Sequence, residues 1–351
     1  WVTRFNGTGN YSDKGHKVLA DNNGYVYVTG YVNPFGSGTL YDCVTIKYDA
    51  TDGDTVWART YDGPADSSDQ TRDIEVDTAG NVYVTGTSRG VGTLSDIITI
   101  KYNAAGGEEW IMRYDNPDTS ASDGGYGIEI DDAGNVYVVG QSQGLGTGSD
   151  IVTIKYDSNG NQQWVTRYNG AANDYDTPSD EVGGKCMALD QSANIYVTGV
   201  SRGATSLNDF VALMYSPDSI EQWVAGYNCC DSVDHALAIA IDTSGGAYIC
   251  GRSIGQGTYY DMAAVKYQSQ VGITESKLIC SARVQLEIHP NPFRRANIIR
   301  YSLPGAQKVT LSIYDVSGRL IKVLVDAHQL GNVYSVTWDG KDDNGGDLGT
   351  G

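Results

Sequence analysis

Aspartate is the residue type whose spacing could do chemistry in this sequence. Asp13, Asp69, Asp123 and Asp234 occupy one shared position near the start of repeating segments. Carboxylate oxygens are ligands that Ca²⁺ prefers, so a ring of these residues at a channel mouth would bind that ion. An Asp that recurs in every repeat more often accepts hydrogen bonds from backbone N–H groups at a strand start. The structural role is therefore the favoured interpretation, and Ca²⁺ is the alternative.

An insertion in the fourth repeat carries clustered carboxylates beside an aromatic side chain. The spacing from Trp164 to Gly199 is 35 residues, against 28–30 in the other repeats. Such a cluster suits a glycan or a Ca²⁺-bridged ligand, and it equally suits a solvated loop. The candidate ligand-binding residues are Asp174, Tyr175, Asp176, Asp180 and Glu181 in the insertion, Phe35 in a longer loop of the first repeat, and Arg89, Arg202 and Arg252 at one position after a strand.

Catalytic motifs are missing from the sequence. It contains no HExxH, GxSxG or P-loop pattern. His16 and His235 stand at different offsets in their repeats, which argues against a matched metal pair. An enzyme that cleaves glycans would need a carboxylate pair of raised pKa near the channel, and no repeat position stands out as one. We therefore assign no catalytic residue and expect a protein that is not an enzyme.

The elements that must position these residues form a tandem repeat. Trp recurs at positions 1, 57, 110, 164 and 223, and each Trp opens a short strand-like segment. Three further segments follow in each repeat, rich in Val, Ile, Thr and Tyr and bounded by Gly, Asn or Asp, as is typical of strands. Four strands in each of five repeats predict a β-propeller of five four-stranded blades over residues 1–268.

The order of the strands within a blade also follows from the pattern. The apolar segment that ends in Asp, such as Ala236–Ile241, should line the centre, and the Trp segment should be outermost. The chain begins with an outermost segment, Trp1–Phe5, and the last repeat ends after Asp261–Tyr267. We expect Trp1–Phe5 to complete the last blade and close the ring, because closure removes exposed sheet edges.

Two segments of the repeat carry a resemblance to a known family. The pattern Asn81-Val-Tyr-Val-Thr-Gly86 followed by Asp96-Ile-Ile-Thr-Ile-Lys-Tyr102 resembles the SBBP β-propeller repeat of bacterial secreted and surface proteins. The resemblance covers residues 1–268 and implies the propeller fold and an extracellular or cell-surface location, but no activity. A closed five-bladed ring and a larger ring with trimmed upstream blades both remain open.

The repeat stops after Tyr267, and a different pattern follows. Residues 269–283 are irregular and are expected to form a linker. Residues 284–351 contain short strands at the spacing of an Ig-like sandwich. Tyr301-Ser-Leu-Pro304 and Trp338-Asp-Gly-Lys-Asp-Asp-Asn-Gly345 resemble the FlgD-type Ig-like module, also seen as the sorting domain of type IX-secreted proteins. That module usually continues into a last strand, so an open edge is expected that could accept a strand from a partner.

Composition excludes some functions. The chain of 351 residues has a net charge of −19, which argues against nucleic acid as a partner. The apolar runs are too short for a membrane-spanning helix. Residue 1 is Trp and no signal peptide is visible, so a mature or trimmed product is expected. The six cysteines are interpreted as mostly buried, with room for one or two disulfides.

These observations favour a secreted or cell-surface binding or scaffold protein of a bacterium. The propeller would present a ligand face to a cell-surface glycan or protein, and the C-terminal module would serve export or attachment. One alternative is a subunit of an extracellular assembly that self-associates through the Ig-like edge. The other alternative is a glycan-active hydrolase or lyase. No cofactor is expected apart from the Ca²⁺ alternative.

Overall fold

The computed structural model shows an all-β protein. It describes residues 1–34, 40–117, 121–179, 184–203, 207–229, 232–255, 259–268, 278–279, 286–289, 297–303, 307–314, 319–330, 332–342 and 346. The chain divides into two compact units, residues 1–277 and 278–351. Within the described residues every regular element is a strand, and no helix is long and apolar enough to cross a membrane.

The first unit contains three four-stranded antiparallel sheets in succession. In each sheet the strands pair in chain order, so that the Trp strand lies at one edge and the strand ending in Asp at the other, as predicted. The strands are β1 Lys14–Ala20, β2 Tyr25–Val32, β3 Asp42–Asp49 and β4 Thr55–Tyr61; β5 Asp69–Val76, β6 Val82–Arg89, β7 Ser95–Tyr102 and β8 Glu108–Tyr114; and β9 Asp123–Ile130, β10 Val136–Gly144, β11 Gly148–Tyr156 and β12 Gln162–Tyr168.

The fourth and fifth sheets depart from the predicted four strands. In the fourth sheet the insertion splits the inner strand into β13 Asp176–Pro178 and β14 Met187–Leu189, which both pair with β15. The sheet continues through β15 Ile195–Arg202, β16 Asn208–Tyr215 and β17 Glu221–Asn228. The fifth sheet has three strands, β18 Asp234–Ile241, β19 Gly246–Ile254 and β20 Tyr260–Gln268.

Tight turns connect the two strands nearest the inner edge of each sheet. In the second sheet, Asp77 accepts hydrogen bonds through Oδ1 from the backbone N–H groups of Ala79 and Asn81, at 3.0 and 2.8 Å. Gly80 follows at a φ of 83°, a conformation that side chains with a Cβ rarely adopt. Asp131 and Asp190 form the same turn in the next two sheets. The repeated Asp at this position therefore sets the hairpin.

The core of the first unit lies between consecutive sheets. Val82 and Val84 of β6 are fully buried and pack with Tyr27 and Trp57 of the first sheet. The same packing recurs between the second and third, third and fourth, and fourth and fifth sheets. Each sheet is therefore stabilised mainly by its neighbours.

The outer-strand tryptophans fasten each sheet to the next. The indole N–H of Trp57 donates to the carbonyl oxygen of Ala104, at 3.2 Å, in a turn of the second sheet. Trp110 and Trp164 make the same bond to Ser158 and Pro217, at 3.3 and 3.0 Å. The conserved contact explains why Trp is the clearest mark of the repeat.

The predicted pairing of Trp1–Phe5 with the last blade is not present. Residues 1–7 form no strand, and β20 ends the fifth sheet. Trp1 instead donates its indole N–H to Ala50, at 2.9 Å, as the other tryptophans do to the sheet that follows them. A cavity of about 390 Å³ lies between this segment and the first sheet, lined in part by Val18 and Val28. The segment thus occupies the place of an outer strand from a sheet preceding the first.

The second unit consists of two small antiparallel sheets. One has the order β22 Leu286–His289, β23 Asn297–Leu303 and β26 Asn332–Trp338, and the other pairs β24 Gln307–Tyr314 with β25 Leu320–Gln329. A further short strand, β21, covers Leu278–Ile279. The predicted open edge after Gly345 falls outside the described residues.

Candidate functional site

The Asp at the start of each inner strand has a structural role. Asp69 accepts the backbone N–H of Gly63 at 2.5 Å through Oδ2 and that of Arg89 at 3.2 Å through Oδ1. It therefore joins the loop after one outer strand to the end of a strand in the next sheet. The other members of this position accept equivalent backbone bonds; they are Asp13, Asp123, Asp176 and Asp234. The alternative of a Ca²⁺ ring over Asp13, Asp69, Asp123 and Asp234 stays a prediction.

Asp176 was expected in the ligand site, and that expectation is wrong. Its side chain is 1% exposed and accepts the N–H of Gly170 at 2.6 Å. The residue is the fourth-repeat member of the structural position described above, and the insertion obscured this relationship in the sequence. A ligand on the surface has no access to it.

The remaining insertion residues are only partly brought together. Asp174 and Arg202, both candidates from the sequence, are exposed and form an ion pair at 2.9 Å. Tyr175 is 39% exposed, and its carbonyl accepts the backbone N–H of Arg202. Arg89 is exposed in the second sheet, and Arg252 lies over the ring of Tyr260 in the fifth. Phe35, Asp180 and Glu181 lie outside the described residues.

A different group of charged residues lies along the inner strands. We call it the inner cluster, and it consists of Lys17, Asp73, Glu75, Glu129 and Lys185. Lys17 and Asp73 form an ion pair at 3.3 Å between the first and second sheets. Lys185 and Glu129 form another at 2.5 Å between the fourth and third sheets. The inner edges of four sheets therefore contribute to one array of alternating charges.

Burial and mutual repulsion change the acidity of this cluster. Burial, followed by the charge of Glu129, raises the pKa of Glu75 to about 7. Burial also raises the pKa values of Glu129 and Asp73, although Lys185 and Lys17 oppose the effect. Burial opposes protonation of Lys185, but the charge of Glu129 outweighs it and raises the pKa of that amine. Near neutral pH the cluster thus contains a carboxyl group that both donates and accepts a proton.

Sequence reasoning missed the inner cluster, although its signal was present. Glu75 and Glu129 occupy the same position in two neighbouring repeats, just before the final residues of the inner strand. The corresponding residues are Leu19, Ala188 and Ala240, which are apolar. A charged residue that breaks an apolar position of the repeat was the available clue.

Three cysteines are free within the described part of the chain. Cys43 and Cys186 are buried, and Cys250 is exposed. Cys229 is buried, and Cys230 and Cys280 lie outside the described residues. Burial raises the pKa of the Cys186 thiol above its ordinary value, with a smaller contribution from Asp73. Buried neutral thiols of this kind act as small apolar side chains.

Comparison with known proteins supports the repeat. Residues 1–33 and 60–91 match the family model for SBBP, a beta-propeller repeat. No curated protein matches the chain. The β-propeller domain of the Trilobed protease from Pyrococcus furiosus is 8% identical with a TM-score of 0.44, over 94% of this chain and 97% of that one. A Bacteroides caccae protein of unknown function is 11% identical with a TM-score of 0.37, over 86% and 97%.

A structure of an enzyme is also among the similar ones. A thermostable family-43 glycoside hydrolase is 12% identical with a TM-score of 0.35, over 74% of this chain and 91% of that one. Within the first unit, it is residues 1–33 and 60–91 that match a β-propeller repeat.

Proposed function

We propose that this protein is a non-catalytic binding protein of the bacterial exterior that holds a polar ligand at the inner cluster. The observation that carries the proposal is the placement of Glu75 and Glu129 at a position that is apolar in the other repeats. Burying a carboxylate is unfavourable unless it is paired. Residues that recur in every repeat, such as Asp69, have a structural explanation, and these two do not.

The chemistry of the inner cluster suits a ligand rich in hydroxyl groups, such as a cell-surface glycan. The ionised carboxylates of Asp73 and Glu129 accept hydrogen bonds, and the ammonium groups of Lys17 and Lys185 donate them. These side chains are between 14% and 48% exposed, so a ligand can reach them while they stay largely ordered. Charge-assisted bonds of this kind are stronger than those between neutral groups.

The experiment is isothermal titration of the full chain with bacterial surface polysaccharides. Removal of one charge-assisted bond costs about 1.5–3 kcal/mol, so Glu129→Gln should weaken binding about tenfold or more. Glu108→Gln, on the outer edge of the second sheet, is the control and should bind normally. Binding that survives Glu129→Gln but is lost in Tyr175→Ala would place the ligand on the insertion and refute this site.

A second candidate is a glycan-cleaving enzyme, which the Glu75–Glu129 pair favours. Glycoside hydrolysis uses two carboxyl groups, one of which must carry a proton near the working pH. Glu75, with its pKa raised to about 7, could serve as that acid. Release of new reducing ends from the bound polysaccharide, abolished in Glu75→Gln, would identify the enzyme and exclude the non-catalytic proposal.

We further propose that the propeller closes as a five-bladed ring, with residues 1–5 added to the edge of β20. In the first three sheets the Trp of the outer strand lies opposite a Lys: Trp57 opposite Lys47, Trp110 opposite Lys101 and Trp164 opposite Lys155. In the fourth sheet Trp223 lies opposite Met214 in the same register. The same register would set Trp1 opposite Lys266. The fifth sheet would then have four strands, like the first three.

The second unit supplies the remaining part of the proposal. Its two small sheets would form an Ig-like module that serves type IX-type export or surface attachment. The two motifs quoted for the FlgD-type resemblance support this role. Cell fractionation of the source bacterium with and without residues 278–351 tests it, since loss of the unit should leave the protein off the cell surface.

A further inference from the structure

Three carboxylates converge between the second and third sheets. Asp96 is the second residue of β7, and Asp115 directly follows β8 in the same sheet. Asp123 is the first residue of β9 in the next sheet. One carboxylate oxygen from each residue lies within 4.8 Å of the others. The three residues are not the ring of Asp13, Asp69, Asp123 and Asp234 considered from the sequence, and Asp123 alone is common to both sets. We call this group the inter-sheet triad.

The triad contains buried oxygens without hydrogen bonds. Asp96 is 1% exposed, and its Oδ2 accepts bonds from Arg113, at 2.6 Å, and Thr93, at 3.2 Å. Its Oδ1 is buried and accepts no hydrogen bond within the described part of the chain, and the same holds for Oδ1 of Asp115. Such an oxygen is costly unless a cation or a donor compensates it. These two Oδ1 atoms therefore lack a compensating partner, although Arg113 binds the other oxygen of Asp96.

The charge balance points in the same direction. Of the three carboxylates, Asp96 is paired directly with a guanidinium, that of Arg113. Arg167 also acts on Asp123, from its ion pair with Asp150, so the ionised group keeps negative charge in excess. Burial, together with the charge of Asp96, raises the pKa of Asp115, and burial also raises that of Asp123. Both effects describe anions held close together without enough compensation.

We propose that the inter-sheet triad binds a divalent cation, Ca²⁺, which bridges the second and third sheets. Ca²⁺ bonds oxygen at about 2.4 Å, so two ligands on opposite sides of the ion are about 4.8 Å apart. Carboxylate oxygens that lie within 4.8 Å of one another can thus share one ion with modest adjustment. Water molecules complete the coordination, and the ion neutralises the excess charge.

The neighbouring gap provides a natural comparison. Between the third and fourth sheets the corresponding residues are Asp150, Asn169 and Asp176, with an amide in place of the middle carboxylate. Arg167 pairs with Asp150 at 2.8 Å, as Arg113 does with Asp96. With one carboxylate fewer, this gap offers fewer oxygen ligands and is a weaker site. Asp115 therefore distinguishes the triad from this junction, whereas Asp62 holds the same position between the first and second sheets, beside Asp42 and Asp69.

The test is calorimetric titration of the full chain with CaCl₂ after treatment with EDTA. We expect saturable binding with a dissociation constant on the order of 0.1–1 mM, the range of extracellular Ca²⁺ modules. Asp115→Asn, which converts the triad into the composition of the next gap, should remove one equivalent of bound Ca²⁺ or weaken it about tenfold or more. Asp174→Asn, an exposed carboxylate on the insertion, is the control and should bind like the parent.

Two results would overturn the proposal. One is the absence of saturable binding up to about 10 mM CaCl₂ together with an unchanged melting temperature, because an ion that binds only the folded state must stabilise it. The other is full binding by Asp115→Asn. Circular dichroism establishes that the variant is folded, and Asp115→Ser replaces it if it is not. The parent chain's melting shift remains decisive in either case.

Discussion

The raised pKa of Glu75 predicts a measurable dependence of stability on pH. Because the folded protein holds the Glu75 proton more tightly than the unfolded chain does, the contribution of this group is fully present below pH 4.5. It is lost as the pH rises through about 7. The difference between 4.5 and about 7 corresponds to roughly 3 kcal/mol, at about 1.36 kcal/mol for each pH unit. Glu75→Gln removes this loss, because the amide does not titrate.

The assay is urea unfolding of the parent and of Glu75→Gln at pH 4.5 and pH 8. The free energy of unfolding of the variant minus that of the parent should be roughly 3 kcal/mol larger at pH 8 than at pH 4.5. The corresponding gain in melting temperature is roughly 5–10 °C for a unit of this size. Glu108→Gln, an exposed carboxyl on β8, should show the parent's pH dependence. Identical pH dependence in the parent and in Glu75→Gln would refute a raised pKa at this site.

Two further predictions concern stability. Arg113→Met should lower the free energy of unfolding, measured in urea, by about 3 kcal/mol, since it leaves the buried Asp96 without its cation. Arg89→Met, at an exposed site, should lower it by less than about 0.5 kcal/mol. An equal decrease in both variants would contradict this role of Arg113. If the ring closes, Val28→Ala should cost as much as Val84→Ala at the same position of the second sheet, about 2 kcal/mol, because a neighbouring sheet would then bury both. A cost for Val28→Ala below half that value would show that the face of the first sheet stays open.

The fold could be predicted from the sequence because the pattern of each strand recurs in several repeats. Alternation of Val, Ile and Tyr, the Asp-Gly turns and the recurring Trp all agreed on strand order, and the sheets confirm it. The predicted number of strands was wrong where the repeat is interrupted, because the insertion before Met187 splits the inner strand in two. The predicted pairing of Trp1–Phe5 with the last sheet is not present in the structure, because it depends on contacts between the two ends of the array and not on a local pattern.

The candidate site was harder to predict because its residues are close only in three dimensions. Asp174 and Arg202 were recognised from exposed positions, and they do meet. Glu75 and Lys185 come from different sheets more than a hundred residues apart, and no local spacing connects them. Burial at the inner edge raises the pKa of Glu75. Burial acts to lower the pKa of Lys185, but the charge of Glu129 outweighs it and raises that pKa. Only the packing of the sheets brings these groups together.

The tryptophan contacts also give the array a direction. The indoles of Trp57 and Trp110 bind residues later in the chain, Ala104 and Ser158 in the following sheets. During synthesis the strands of one sheet can pair as soon as they have been synthesised. The tryptophan of the outer strand, however, can form its hydrogen bond only after the turn of the next sheet has been synthesised. Folding should thus proceed from the N-terminus, and the outer strand of the most recently synthesised sheet should lack its tryptophan contact. A defect in one sheet would remove the binding site for the outer-strand Trp of the preceding sheet. The outer strand of the following sheet would keep its own tryptophan contact.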